Sequence, residues 1–189
     1  MEIYHDLRPT GINTRDTMYT GWPNLEADCY KNVNEATKSE TDYNYNCDTS
    51  GLAQTQSVLY TLETYSGGDA ISRITLNGYY RVVNTGGGSG ARARFRIKTG
   101  GTIYEGSFFN PDTSAYTLYS KVYTTNPKTG NPWSAAEVNA LAAGDSLQSI
   151  ANKSDYTDVF NNSRSYCCQF WVTVVETAVE SGGNFFLVM

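Results

Sequence analysis

The eight residues Ala91-Arg92-Ala93-Arg94-Phe95-Arg96-Ile97-Lys98 alternate strictly between apolar and cationic side chains. Successive side chains of a β-strand point to opposite faces of the sheet. The stretch therefore places one apolar face against a core and one cationic face outside it, which predicts a half-buried strand.

The same period of two recurs elsewhere in the chain. Two further stretches alternate and are expected to bury their apolar residues, namely Ile74, Leu76, Tyr80 and Val82 in 74–82, and Tyr116, Leu118 and Val122 in 116–123. Strand composition bounded by Gly, Asn, Ser or Pro also marks 58–64, 102–108, 166–177 and 184–188. These segments predict an all-β fold.

One short helix is predicted at 134–143. Ser134 followed three residues later by Glu137 forms a capping box, and Trp133 before the cap can pack against Val138. Gly144 stands where a left-handed residue would end the helix. The single apolar stripe of this helix is suited to docking on a sheet or sealing the end of a sandwich.

The composition excludes several classes of function. The chain has 189 residues, a formal net charge of −5 and a single histidine, His5, near an N-terminus expected to be loose. The negative charge disfavours nucleic-acid and membrane-surface binding. One histidine leaves no multi-histidine metal site and no mid-chain Ser-His-Asp triad. We expect no enzyme activity, no metal and no cofactor, and no secretory signal or membrane-spanning segment.

Cysteine, tryptophan and glycine residues carry further expectations. Cys167 and Cys168 are neighbours on a predicted strand, so one is expected in the core and the other at the surface or an interface. Trp133 and Trp171 are expected in the core. The run Gly86-Gly87-Gly88-Ser89-Gly90 is expected to be a mobile hairpin loop, because neither a helix nor a lysine follows to form a phosphate site.

The cationic face of the first strand permits two interpretations. Arg92, Arg94, Arg96 and Lys98 form either the solvated side of a sheet balanced by acidic or tyrosine partners, or a docking surface for an acidic protein or a phosphate-bearing ligand. Arg8 and Trp22 are further candidate partner-binding residues. Trp22 and exposed tyrosines also permit a carbohydrate-binding platform, because aromatic rings stack on sugars.

The order of several motifs resembles a family of tailed-phage and prophage virion proteins. The most specific motif is Asn126-Pro127-Lys128-Thr129-Gly130-Asn131-Pro132-Trp133-Ser134. Shorter similarities occur at 8–11, 22, 33–35, 42–43, 91–94, 102–104, 138–144 and 166–174. The chain departs from the usual form in Asn44-Tyr45-Asn46 and in the adjacent Cys167-Cys168.

The resemblance implies a concanavalin-like or jelly-roll antiparallel β-sandwich located in the virion. It implies a capsid decoration, or cement, protein that binds the major capsid protein or other virion proteins, as a homo-oligomer and by analogy a trimer. Residues 1–21 are expected to be an N-terminal arm ordered by neighbouring subunits, and 22–189 a single sandwich domain. The alternative is a tail-associated carbohydrate-binding module for host adhesion.

Overall fold

The computed structural model describes residues 1–15, 29–40, 43–45, 55–68, 70–83, 91–113, 115–149 and 164–178. Within these ranges the chain forms a turn of 3-10 helix at Cys29–Asn32, the helix α1 at Ala135–Asn139 and ten strands. The strands are β1 (Glu2–Leu7), β2 (Pro9–Arg15), β3 (Asn44–Tyr45), β4 (Thr55–Leu62), β5 (Ile71–Val83), β6 (Arg92–Thr99), β7 (Thr102–Glu105), β8 (Thr117–Tyr123), β9 (Ala142–Gln148) and β10 (Arg164–Thr177).

The strands form two antiparallel sheets. Sheet 1 has the order β1-β10-β5-β8, with the short β3 also paired to β10. Sheet 2 has the order β2-β4-β9-β6-β7. Apolar side chains from both sheets meet in one buried cluster between them, so the protein is an all-β sandwich with one short helix, as the sequence predicts.

The strand pairing has a nested order. Apart from β2 and β3, the first strand pairs with the last, β4 with β9, β5 with β8, and β6 with β7. A long antiparallel hairpin folded over on itself gives this order, which is that of a jelly roll. The nesting brings β6 and β10, far apart in sequence, to the middle of opposite sheets.

The strand β6 follows its predicted alternation. Ala93, Phe95 and Ile97 are buried in the core, while the cations between them are half-buried on the outer face of sheet 2. The rings of Phe95 and Phe170 lie 6.4 Å apart and join the two sheets across the core. Burial of large aromatic side chains on both inner faces is the main force that holds the sheets together.

The strand β8 faces opposite to the prediction. Leu118 and Val122 are 46% and 49% exposed on the outer face of sheet 1, whereas Tyr119 and Tyr123 pack against the core. Both faces of this edge strand carry large apolar groups, so the alternation alone did not select the buried one. Tyr119 stacks on Phe109 with ring centres 4.4 Å apart, which shows that tyrosine rings supply the inner contacts.

The helix has the predicted capping box and a shorter span. Ser134 Oγ accepts from the backbone N–H of Glu137, and a Glu137 carboxylate oxygen accepts from the backbone N–H of Ser134. The helix ends at Asn139 rather than at residue 143, and Gly144 lies inside β9, so its predicted role as a helix stop is wrong. Tertiary pairing of β9 with β4 and β6 overrides the local helical pattern.

The first fifteen residues differ from the expected arm. The strand β1 pairs with β10 through six consecutive residues, and β2 pairs with β4. Leu7 is 5% exposed and belongs to the core. Residues 1–15 are therefore integral to the sandwich, and the predicted boundary at residue 21 lies outside the described residues, as does the candidate strand 184–188.

The cysteine and glycine predictions have mixed outcomes. Cys167 faces the core, but Cys168 is also fully covered, within a second apolar cluster on the outer face of sheet 1. Ordinary alternation along β10 separates the two neighbours, and a bulge between Cys167 and Gln169 leaves Cys168 without a register partner in β5. The glycine-rich segment lies outside the described residues, and its flanking strands β5 and β6 belong to different sheets, so the predicted hairpin is wrong.

Candidate functional site

The predicted basic row lies on the outer face of sheet 2. We use basic row for Arg92, Arg94, Arg96 and Lys98, which occupy alternate positions of β6. The strand pairs with β9 on one side and β7 on the other, so the row runs along the sheet one strand in from its edge. The sheet thus fixes the backbone beneath all four cations.

A glutamate from the edge strand holds the centre of the row. Glu105 lies opposite Arg96 in the β6–β7 pair. One Glu105 oxygen is 2.6 Å from Arg94 Nη1, and the other is 3.2 Å from Arg96 Nε. The two arginine side chains are only 21% and 12% exposed, so these ion pairs are partly shielded from solvent. The acidic partner expected from a neighbouring strand is therefore present.

The ends of the row are also held in place. The ring of Phe108 lies beneath two guanidinium groups, with its centre 4.1 Å from Arg92 and 4.5 Å from Arg94. Arg92 Nε donates to Oε1 of Gln148, and Lys98 Nζ donates to Oδ1 of Asn13 at 3.2 Å. Every member of the row is thus oriented by the protein before any partner binds.

The other two predicted partner-binding residues do not join the row. Arg8 stands between β1 and β2, at the opposite edge of sheet 2 from β7. Its guanidinium donates to the backbone oxygen of Glu35, and its backbone N–H donates to the Glu63 carboxylate at 2.9 Å. Arg8 therefore connects two segments of the fold. Trp22 lies outside the described residues.

A second surface on the outer face of sheet 1 was not predicted. Five tyrosines from four strands or their first neighbours come together there, and we call them the tyrosine cluster. They are Tyr43 just before β3, Tyr45 in β3, Tyr79 in β5, Tyr116 just before β8 and Tyr166 in β10. The Tyr45 and Tyr166 rings stack with centres 5.6 Å apart, and Tyr43 meets Tyr166 edge-on at 5.2 Å. The ring of Trp171, expected in the core, lies on this outer face, half-buried and 6.0 Å from Tyr79.

An arginine lies inside the tyrosine cluster. The guanidinium carbon of Arg81 is 4.6 Å from the centre of the Tyr116 ring and 5.2 Å from that of Tyr166. Arg81 Nε and the Tyr116 hydroxyl are both buried and have no hydrogen-bond partner. Burial raises the pKa of Tyr116, so its hydroxyl stays protonated and able to donate. No local sequence pattern indicated this site, because its members are spread over more than 120 residues.

His5 lies in a third site, at the start of the chain. It is part of β1, and not of the loose terminus expected from the sequence. Its Nε2 is 3.2 Å from a Glu176 oxygen, which also accepts from the Tyr65 hydroxyl and from the backbone N–H of Gly68. His5 and Tyr65 line an open pocket of about 410 Å³ together with Asp6, Leu7, Glu63, Thr64 and Ser66. The hydroxyl of Tyr65 is the main cause that lowers the pKa of Glu176.

Across the described residues, no three His, Cys, Asp or Glu side chains converge in a way that could hold a metal ion. None of the helices there is long and apolar enough to cross a membrane.

Comparison with known proteins adds no assignment. No protein-family model matches the chain, and no curated protein is significantly similar to it. The resemblance to tailed-phage virion proteins therefore stays a prediction that rests on the motifs quoted above.

Proposed function

We propose that the protein is a non-enzymatic structural component of a tailed-phage virion, which binds the shell as a capsid decoration protein. In this proposal the basic row docks on an acidic surface of the major capsid protein. The observation that carries the proposal is the bracing of four cations on one sheet face by Glu105, Phe108, Gln148 and Asn13.

Cationic side chains that are already held in one position are better suited to binding a partner than freely moving side chains on a solvated surface. A free arginine loses rotamer entropy when it forms an ion pair with a partner, and a side chain that is already fixed loses less. Planar guanidinium groups also form bidentate hydrogen bonds with carboxylates. A row of cations on a chain of net charge −5 gives a strongly polarised surface, which directs encounter with an acidic partner.

The fold and the resemblance support the same proposal by analogy. Jelly rolls occur in viral capsid proteins and in lectins, so the fold alone does not choose a function. Repeated copies on a shell add their contacts through avidity, so each copy needs only a modest interface. The proposed homo-oligomer, with a trimer as the analogy suggests, would increase this effect.

The test uses capsids assembled without this chain, taken from the phage that encodes it, and measures co-sedimentation of the full chain. Lys98→Glu and Arg92→Glu each reverse one end of the row without leaving Glu105 unpaired. We expect each to weaken binding by about tenfold or more at low salt, with a smaller salt dependence than the unchanged protein.

Lys121→Glu, an exposed residue of β8 in the other sheet, makes the same change in net charge and should bind normally. Equal binding by Lys98→Glu, Arg92→Glu and Lys121→Glu would contradict docking through the basic row. Absence of binding by the unchanged chain would contradict the decoration function itself.

A second function is supported by a different observation. Tyr43, Tyr45, Tyr79 and Trp171 present half-buried rings on the outer face of sheet 1. Aromatic rings with exposed faces and hydroxyl groups are typical of carbohydrate sites. The proposed alternative is therefore a tail-associated module that binds carbohydrate on the host surface.

A further inference from the structure

Arg81 differs from the other arginine on the same strand and face. Arg73, also in β5, donates two hydrogen bonds of 2.7 and 2.9 Å to the two carboxylate oxygens of Glu2. Arg81 lies between two tyrosine rings, and none of the ion pairs within the described part of the chain involves it. A half-buried guanidinium without an acid retains unused hydrogen-bonding capacity.

We propose that Arg81 and the tyrosine cluster form a binding site for a sugar that carries a carboxylate, such as a hexuronic acid residue. The carboxylate would bond to the two Nη groups of the guanidinium, because Arg81 Nε is buried, and two parallel N–H groups fit its two oxygens. This inference takes its carbohydrate class from the second proposed function and is independent of capsid docking, because the two sites lie on different sheets.

The charges around the tyrosine cluster favour an anion. Lys38 Nζ lies 5.3 Å from the centre of the Tyr79 ring, and the Arg164 guanidinium lies 5.8 Å from that of Tyr45. Glu35 and Glu40 are both acids near Cys168 of this cluster, and Lys38 holds Glu40 at 2.6 Å. The hydrogen bond from Lys38 is the main cause that lowers the pKa of Glu40, with a smaller effect from Arg81. Glu40 is therefore already paired with another cation.

The rings around Arg81 favour a sugar over an acidic peptide. The two tyrosines that contact the guanidinium, Tyr116 and Tyr166, are 5% and 8% exposed and act as its rigid walls. Tyr45 and Tyr79 are more exposed and can present ring faces to a sugar. The apolar C–H face of a pyranose stacks on such rings while its hydroxyl groups bond to tyrosine hydroxyls and solvent.

The test titrates the full chain with an oligomer of galacturonic acid and, as the matched ligand, with its methyl ester, which keeps the ring and removes the charge. Binding is followed by calorimetry and by amide chemical shifts. We expect the acid to bind in the millimolar range or tighter, with shifts confined to residues near Arg81, and the ester to bind at least about tenfold more weakly.

Three variants assign the effect to Arg81. Arg81→Gln should reduce affinity for the acid to that for the ester. Arg81→Lys keeps the positive charge and the packing but loses the planar fork, so it should lose most of the affinity even if Arg81→Gln folds poorly. Arg73→Gln, on the same strand and face, should bind normally.

Four results would overturn the proposal: no binding of the acid, equal affinity for acid and ester, unchanged affinity in both Arg81 variants, or equal affinity for a polyglutamate peptide. Binding of acid and ester alike would reject the role of Arg81 and retain the carbohydrate function. If the unchanged protein bound neither the acid nor the ester, both the role of Arg81 and the carbohydrate function would be rejected. Capsid binding would be unaffected in either case.

Discussion

The hydroxyl of Tyr80 donates a 3.1 Å hydrogen bond to a carboxylate oxygen of Asp145, and this bond crosses the core from one sheet to the other. Tyr80 comes from β5 in sheet 1, and Asp145 from β9 in sheet 2. Asp145 is 1% exposed and occupies an inward position between apolar neighbours of sheet 2. A carboxyl group therefore lies in the interior of the sandwich.

Burial raises the pKa of Asp145 from 3.8 to about 6, against the opposing effect of hydrogen bonds from Tyr80 and Cys167 and of the positive charge of Arg96. The folded state therefore binds the proton more tightly than the unfolded state. The contribution of Asp145 to stability is greatest below pH 4 and falls as the pH rises towards 6. Above that range the folded protein bears the cost of a buried charge.

Replacing Asp145 by Asn removes this cost. We expect Asp145→Asn to raise the free energy of unfolding at pH 7 by about 3 kcal/mol and to have little effect near pH 4. Urea denaturation at a series of pH values measures the difference between the two proteins. A constant difference across this range would show that Asp145 does not titrate in the folded state as expected.

Glu2 supplies a control of opposite sign. Its hydrogen bond from Arg73 is the main cause that lowers its pKa from 4.5 to about 2. Its contribution to stability is therefore present above pH 4.5 and is lost as the pH falls towards 2. Glu2→Gln should give a difference curve that bends at lower pH and in the reverse direction from that of Asp145→Asn.

Gly144 is required by the close approach of two strands. A Cβ atom at this position would lie 2.1 Å from the backbone oxygen of Val58 in β4, a contact that no side-chain rotation relieves. We expect Gly144→Ala to destabilise the fold by about 3 kcal/mol, because either β4 or β9 must shift. Thermal or urea unfolding measures this loss.

Gly11 provides the matched strand glycine. A Cβ there would lie 4.0 Å from the side chain of Thr61, which is ordinary contact. Gly11→Ala should change the free energy of unfolding by less than about 1 kcal/mol. If Gly144→Ala were equally mild, the tight spacing of β4 and β9 would not be a constraint on this position.

Local sequence patterns predicted the individual elements better than they predicted how those elements pack against distant strands. The alternation of β6 gave both its buried and its cationic faces, and the Ser134–Glu137 pair gave the start of the helix, because both signals depend only on neighbours in sequence. The face of β8 and the end of the helix were wrong, because each is decided by pairing with distant strands.

The same contrast between local sequence signals and contacts made by distant strands applies to the candidate sites. The basic row was visible because it occupies a single strand, whereas its bracing by Phe108 and Glu105 depends on how the chain returns beside β6. The cluster around Arg81 was not visible, since β3, β5, β8 and β10 meet only after folding and a bulge in β10 sets which residues face outward.

The strand β1 is part of sheet 1, so we expect its removal to destabilise the fold and do not expect it to act as a removable arm. Leu7 and Ile3 share the inward face of β1, opposite Val172 and Glu176 of β10, but Leu7 is 5% exposed and Ile3 is 38% exposed. We expect Leu7→Ala to lower the free energy of unfolding by about 3 kcal/mol, because it leaves a cavity between the sheets, and Ile3→Ala by less than about 1 kcal/mol. Urea unfolding of the two variants measures the contrast. Equal and small effects would mean that β1 is dispensable for the fold and acts as an arm after all.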